Sequence, residues 1–151
     1  KSMSGGSKMI GSHVKKRYSR TQTHVTMSSA EAELIALVKC TAETMGIRSV
    51  LRDWGKECRG VLFADSSAAL AIAKRKRAGQ LRHINVSALW VWIQDLQDRE
   101  GTEFRKVLGT ENPADMMTKY LARDKIDGCL ELIGQTRLDG RADKGLNIQG
   151  A

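Results

Sequence analysis

The chain has 151 residues, a length that suits one compact domain, and its formal net charge is +8. Hydrophobic residues at 41% and charged residues at 28% are ordinary for a globular protein, which excludes global disorder and fibrous repeats. The apolar runs are too short to span a bilayer, and no basic segment followed by an apolar run opens the sequence. We therefore expect no membrane segment and no secretory leader. Three scattered cysteines favour reduced thiols and an intracellular setting, cytoplasmic or nuclear.

Positive charge is concentrated in two parts of the chain. Residues 1–30 contain several Lys and Arg side chains and no carboxylate. The second cluster consists of Lys74, Arg75, Lys76, Arg77, Arg82 and His83. Such clusters are typical of proteins that bind a phosphate backbone, although an ordinary solvated surface explains charge alone equally well. The second cluster is therefore our candidate nucleic-acid-binding surface.

The predicted elements of the first half are a hairpin and a long helix. The polar, Gly/Ser-rich start at 1–6 predicts a turn or a cut edge rather than a helix, and two short strands are expected at 8–10 and 14–20. From Ser28 the apolar residues recur at helical spacing, and Ser28 forms a capping box with Glu31. This pattern predicts one amphipathic helix that continues to about Trp54.

The second half alternates between strands and helices. A continuous apolar run at 61–64 predicts a strand buried on both faces, and a helix is expected over 68–74. A helix over 88–98 and a strand over 103–108 follow, and Asn112 with Pro113 is typical of a further helix start. We expect a C-terminal helical extension over 122–134 and a flexible tail over 135–151. The order of elements indicates an α/β fold whose sites lie at the strand ends.

Two aspartates stand where an α/β fold would build a site. Asp65 follows the apolar strand, and because Ser66 or Ser67 can cap the next helix, Asp65 is free for a functional role. Asp115 lies in the first turn after Asn112, where a favourable interaction with the helix dipole explains it as well as a functional role does.

Two glutamates on the long helix compete for a third position. Glu31 already has a structural role in the capping box, whereas Glu33 lies at the border of the face that packs inward, so we choose Glu33. Three carboxylates at one end of a sheet repel one another unless cations join them, and oxygen ligands suit Mg²⁺ or Mn²⁺. Two such ions can activate a water and stabilise the leaving oxygen of a phosphodiester.

Five short segments occur in an order that matches a known family. They are Lys1-Ser2-x-Ser4-Gly5, Ser28-Ser29-Ala30-Glu31-Ala32-Glu33, Asp65-Ser66-Ser67, Arg82-His83-Ile84 and Asn112-Pro113-Ala114-Asp115-Met116-Met117-Thr118-Lys119. Together these segments resemble the ribonuclease H domain of copia-type retrotransposon Pol polyproteins. The resemblance covers residues 1–121.

The resemblance implies a ribonuclease H-like mixed sheet of five strands flanked by helices. It implies endonucleolytic hydrolysis of the RNA strand of RNA–DNA hybrids, with two Mg²⁺ or Mn²⁺ ions held by four acids. Glu33, Asp65 and Asp115 would be three of these acids, as catalytic and metal-binding residues. The partners it implies are the hybrid and the reverse transcriptase and integrase regions of the same polyprotein.

Two departures from the family pattern affect this interpretation. The family carries its first catalytic Asp on a strand upstream of the segment at 1–5, and residues 1–30 contain no acid in its place. We therefore expect that first strand to be absent, leaving a sheet edge open or requiring a partner strand, with weaker metal binding and a lower rate. Asn85 stands where the family usually has Asp.

Two other interpretations remain open. The main alternative is a catalytically inactive module that binds nucleic acid or supports a neighbouring polymerase domain. A basic α/β interaction domain that binds no metal is the third.

Overall fold

The computed structural model describes residues 2–23, 25–26, 28–75 and 87–138. Lys76, Arg77, Arg82 and His83 of the candidate nucleic-acid-binding surface lie outside these residues, as does most of the tail predicted over 135–151. The described elements form the mixed α/β fold that the sequence predicts. None of the helices in this part of the chain is long and apolar enough to cross a membrane.

The chain begins with an antiparallel hairpin. Strand β1 (Met3–Ile10) pairs with β2 (His13–Thr21), and the turn between them uses Gly11, whose φ of 59° favours glycine. The predicted hairpin is confirmed, but the predicted turn at 1–6 is wrong, because β1 already begins at Met3. Its Gly- and Ser-rich start has little strand propensity, and pairing with the end of β2 overrides this local preference.

Helix α1 (Ser29–Asp53) confirms the predicted long helix. The Ser28 side chain caps it by accepting a hydrogen bond from the backbone N–H of Glu31 at 3.1 Å. The helix ends at Trp54, and Gly55 follows with a φ of 70°.

A second unit consists of two parallel strands and their connecting helices. The order is β3 (Val61–Ala64), α2 (Ser67–Ala73), α3 (Ser87–Glu100) and β4 (Glu103–Lys106), in which β3 and β4 pair in parallel. The strand predicted over 103–108 is therefore shorter than expected.

The last part of the described chain contains two short 3-10 turns and a helix. The turns are Gly109–Glu111 and Pro113–Met117, and helix α4 (Arg123–Leu132) follows. The helix predicted to begin at Asn112 is thus a single 3-10 turn, which we call the Asp115 turn. Helix α4 lies where the sequence predicts the C-terminal extension.

The hydrophobic core lies between the helices and one face of the β3–β4 sheet. Its buried residues are Leu34, Leu37, Val38, Leu62, Ala69, Leu70, Ile72, Ala73, Ile93 and Phe104. The expectation that β3 is buried on both faces is wrong, because Leu62 is buried whereas its neighbour Phe63 is 58% exposed.

The strands form two separate sheets rather than one. Within the described residues, β1 pairs with β2 and β3 pairs with β4, so the single five-stranded sheet that the resemblance implies is not formed. A groove of about 570 Å³ lies between β1 and β3, over α1. We call it the intersheet groove. No described strand lies in the intersheet groove, and β1 does not pair with β3.

Candidate active site

Helix α1 presents Glu33 at one end of the intersheet groove. Glu33 lines the groove and its side chain is exposed, whereas Glu31 is only 7% exposed and lies at the capped start of the helix. Glu31 does not line the groove. The structure therefore agrees with the sequence argument in placing Glu33, and not Glu31, where α1 contacts both sheets.

Asp65 lies immediately after β3, at the carboxyl end of the strand. The Ser66 side chain accepts a hydrogen bond from the N–H of Ala69 at 3.2 Å and caps α2. The Asp65 side chain is therefore not the cap of this helix. From β4, the Lys106 ammonium donates to the Asp65 carbonyl oxygen at 2.8 Å and also to the Ser67 hydroxyl. These hydrogen bonds fix the main chain that carries the Asp65 carboxylate.

Asp115 is placed by the 3-10 turn that opens at Asn112. The Asn112 side chain accepts a hydrogen bond from the N–H of Ala114 at 3.2 Å and caps the turn. The Asp115 carboxylate, which is 19% exposed, accepts a hydrogen bond from the Lys119 ammonium at 2.8 Å. Lys119 thus stands beside the third acid.

Gly5 holds the Asp115 turn against β1. A Cβ atom built on Gly5 would lie 2.7 Å from both the Met117 Cβ and the Thr118 Cγ2, and 3.1 Å from the Ala114 carbonyl oxygen. Side chains do not tolerate such short contacts, so only glycine allows the strand and the turn to approach this closely. The contact joins the first and last of the sequence segments that carry the resemblance.

The three acids influence one another electrostatically. Partial desolvation by the surrounding protein raises the pKa of Glu33, the carboxylates of Asp65 and Asp115 raise it further, and Lys119 opposes this rise. The pKa of Lys119 is raised chiefly by its hydrogen bond to Asp115, with smaller contributions from Asp65 and Glu33. Residues that are far apart in the sequence therefore share one local field at the carboxyl end of β3.

The chemistry of these side chains suits a hard divalent cation. All three donors are carboxylates, and although desolvation is the main reason that the pKa of Glu33 is raised, the contributions of Asp65 and Asp115 show that these carboxylates repel one another. However, no three His, Cys, Asp or Glu side chains of the described residues are arranged to hold one ion, and Lys119 already binds one oxygen of Asp115. The described geometry brings the acids within electrostatic range and does not form a closed coordination site.

The described part of the candidate nucleic-acid-binding surface lies away from these acids. Lys74 and Arg75 are exposed at the end of α2. The pKa of Glu103 is lowered chiefly by a hydrogen bond from Arg105, and Lys74 adds a smaller electrostatic contribution. Because Glu103 begins β4 and pairs with the start of β3, Lys74 lies toward the end of this sheet that is remote from Asp65.

Two residues that shape the site belong to the segments of the resemblance, but the sequence argument gave them no role in the site. Lys119 follows Asp115 by four residues, a spacing at which an acid and a base can pair, and this spacing is a signal that was available. For Gly5 the sequence offered no local signal, because the turn that it contacts is more than a hundred residues away.

Comparison with known proteins identifies a relative of this chain. The "Retrovirus-related Pol polyprotein from transposon TNT 1-94" of Nicotiana tabacum is 33% identical over 118 residues. This chain is related to a retrotransposon Pol polyprotein. The matched residues make up 77% of this Pol-related chain and 9% of the polyprotein, so the chain corresponds to a small part of its relative. No family model matches the chain, and no solved structure matches it.

Proposed function

We propose that this Pol-related chain is a ribonuclease H-like domain that hydrolyses the RNA strand of RNA–DNA hybrids. The observation that carries the proposal is that Glu33, Asp65 and Asp115 come from three separate elements and still act on one another electrostatically. The relationship to a retrotransposon Pol polyprotein agrees with the resemblance of the sequence segments. A group of acids at the carboxyl end of a strand is a suitable place for metal-assisted phosphodiester hydrolysis.

The three acids and two neighbouring lysines would have different roles in hydrolysis. Glu33, Asp65 and Asp115 are the residues that would hold Mg²⁺ or Mn²⁺, as two ions. When bound, the ions supply Lewis acidity that activates a water and stabilises the leaving oxygen. Lys106 fixes the main chain at Asp65, and Lys119 limits the repulsion between the carboxylates. The hybrid itself would be recognised by its shape and its 2′-hydroxyl groups rather than by its sequence.

Cleavage of a labelled RNA–DNA hybrid in Mg²⁺ or Mn²⁺ tests the proposal. We expect the 151-residue chain to cleave the RNA strand slowly, and Asp65→Asn to lower the rate by about 10²-fold or more, because catalytic groups that act as a unit are strongly non-additive. The matched control is Asp124→Asn, which makes the same change at an exposed position in the first turn of α4. A longer chain that adds an upstream Asp-bearing strand should cleave faster. Cleavage that Asp65→Asn leaves unchanged would reject this site.

A second candidate function is binding of nucleic acid without hydrolysis. The ion pair between Lys119 and Asp115 favours it, because it occupies one carboxylate oxygen with a cation of the protein itself. Exposed basic side chains on β2 also favour it, among them Lys15 and Arg17. Hybrid binding without cleavage, even at high Mn²⁺, would support this function over hydrolysis.

A further inference from the structure

Gln22 lies buried where the hairpin meets the start of helix α1. It follows the last residue of β2, and only 6% of its surface is exposed. Its side-chain amide donates two hydrogen bonds, one to the Ser4 hydroxyl and one to the Ala32 carbonyl oxygen, each at 2.8 Å. The main-chain N–H of Gln22 also donates to the Ser2 carbonyl oxygen at 2.8 Å. One residue therefore joins the end of β2 both to β1 and to α1.

The orientation of the Gln22 side chain follows from its partners. A carbonyl oxygen such as that of Ala32 can only accept, so it must face the NH₂ group of Gln22. The Gln22 Oε1 atom is then left buried, without a hydrogen-bond partner among the described residues. An unpaired buried acceptor is unfavourable, and the two bonds from the NH₂ group offset it. This position therefore requires a long side chain that carries two donors.

The two side-chain partners of Gln22 each adjoin a part of the candidate active site. Ala32 precedes Glu33 on α1. Ser4 precedes the glycine of β1 that contacts the Asp115 turn. Both partners are buried, so water does not compete for these hydrogen bonds. The Gln22 side chain thus connects the helix that carries Glu33 to the strand that holds the Asp115 turn.

A separate group of ion pairs holds the hairpin on α1 away from the acids. The Glu43 carboxylate accepts a hydrogen bond from Lys8 and lies 3.2 Å from the Lys16 ammonium. Glu43 is about three helical turns beyond Glu33. Loss of the Gln22 side-chain bonds should therefore loosen the start of α1 while the hairpin remains in contact with the rest of the helix.

We propose that Gln22 is a positioning residue, which fixes the start of α1 and with it the distance between Glu33 and the Asp115 turn. Its importance for catalysis rests on the proposed hydrolytic function. Gln22 acts through Ala32 and Ser4, because its described hydrogen bonds reach none of the three acids. Groups that act together on a reacting centre must be placed accurately, and a displacement of about 1 Å can lower the rate by 10²-fold.

Amide hydrogen exchange of Gln22→Met tests the positioning without any need for catalysis. Methionine has a similar length and no donor, so both side-chain bonds are lost. We expect exchange to become about 10-fold faster or more at 32–34, and to change little in α2 at 69–73. Gln94→Met is the matched control, because Gln94 on α3 also donates to a main-chain carbonyl, that of Ile72, at 3.4 Å. The control should leave exchange at 32–34 unchanged.

Steady-state cleavage of the hybrid shows whether this placement affects the reaction. For Gln22→Met we expect kcat to fall by about 10-fold or more while KM stays the same, because the displaced acid acts on the transition state. Gln94→Met should leave both constants unchanged. The two proposals can fail separately. An unmodified chain that does not cleave hybrids contradicts the proposed function, whereas the exchange measurement still decides whether Gln22 fixes the start of α1.

The unmodified chain and a milder variant provide further measurements if Gln22→Met does not fold. The NH₂ protons of Gln22 should exchange with solvent about 10²-fold more slowly than those of Gln94, whose hydrogen bond is longer and only partly buried. Ser4→Ala removes one of the two side-chain bonds and should also accelerate exchange at 32–34. Because Ser4 and Gln22 form one network, the effects of their substitutions should not add.

Several results would overturn the proposal. Equal exchange of the NH₂ protons of Gln22 and Gln94 would show that the buried bonds are not formed. Unchanged exchange at 32–34 in Gln22→Met would show that this side chain does not fix the start of α1. Faster exchange throughout the chain, with kcat reduced only by the unfolded fraction, would make Gln22 a stabilising residue without a positioning role. A raised KM with an unchanged kcat would assign Gln22 to substrate binding instead.

Discussion

Lys119 controls the charge of the candidate active site, because it is the cation that opposes the raised pKa of Glu33. Replacing it with an uncharged side chain of similar length, Lys119→Met, should raise the pKa of Glu33 further. The reason is that desolvation and the carboxylates of Asp65 and Asp115 would then act without this opposing charge. Carbon-detected NMR titration of the Glu33 carboxyl group, without divalent cations, measures the change.

The same variant has a consequence for stability. A carboxyl group whose pKa is higher in the folded chain binds more protons there than when unfolded, so its contribution to the free energy of unfolding falls as pH rises. For Glu33 this loss begins near its ordinary pKa and is complete above the raised one. Lys119→Met should extend the loss to higher pH. Lys125→Met, an exposed change on α4, is the control, and an equal shift of Glu33 in both variants would contradict a specific role for Lys119.

At the level of single residues, the sequence identified acids whose position follows from local structure. Asp65 could be chosen because a serine after it was available as a cap, and Ser66 does cap α2. Glu33 could be preferred because Glu31 was engaged at the start of α1. The roles of Lys119 and Gly5 were not predicted, since they depend on contacts that the fold creates. That the three acids act as catalytic and metal-binding residues stays a prediction.

Among the secondary-structure elements, the contact between β1 and the Asp115 turn determines where the third acid lies. Gly5→Ala would place a Cβ atom 2.7 Å from the Met117 Cβ and the Thr118 Cγ2, so the turn must move away from the strand. We expect the free energy of unfolding to fall by about 1–3 kcal/mol, the usual cost of overpacking. The pKa of Glu33 should also rise further, because Lys119 moves away together with Asp115 and its lowering effect on Glu33 is the larger of the two. Chemical denaturation and NMR titration measure the two effects.

Gly46→Ala is the matched control for this change. Gly46 lies in the middle of α1, and a Cβ atom there would meet nothing within 4 Å. Because alanine is the better helix former, this variant should stabilise the chain by about 0.5–1 kcal/mol. A Gly5→Ala chain that is as stable as the unmodified chain, with Glu33 unchanged, would show that the close approach does not hold the turn in place.

The sequence predicted those elements whose signals are local. The cap at Ser28 and the apolar period fixed α1, and the turn at Gly11 located the hairpin. The start of β1 was not predicted, because its glycines and serines form a strand only through pairing with β2. The Asp115 turn was expected to be a longer helix, since Asn followed by Pro marks a helical start without determining its length.

The arrangement of the whole molecule was the least predictable part. Alternating strands and helices indicated the α/β class correctly, but the strand pattern could not determine how many sheets form or which edges face each other. Such pairings depend on contacts between distant segments, and neither hydrophobic period nor turn residues encode them. The exposed side of β3 at Phe63 has the same origin, because its burial depends on a neighbour that the described residues do not provide.

The charge of the whole chain leads to a final prediction about hybrid binding. At +8 the chain should bind RNA–DNA hybrids with an affinity that falls as salt rises, because basic side chains displace counterions from phosphates. Lys15 and Arg17 are exposed and alternate on one face of β2. Replacing both with Gln should reduce the slope of log affinity against log salt by about 1.5, which corresponds to two lost phosphate contacts. Fluorescence anisotropy across a salt series measures this slope.

A second double variant distinguishes the effect of local contacts with the hybrid from the effect of net charge. Arg123→Gln with Arg137→Gln also removes two positive charges, but both arginines lie near α4 and pair with Asp127, at 3.9 Å and 3.3 Å. If β2 contacts the hybrid, only the β2 variant changes the slope of log affinity against log salt. The α4 variant then weakens binding slightly and leaves this slope unchanged. Equal changes in both variants would mean that net charge alone governs binding, and no change in either would remove the hairpin from the interface.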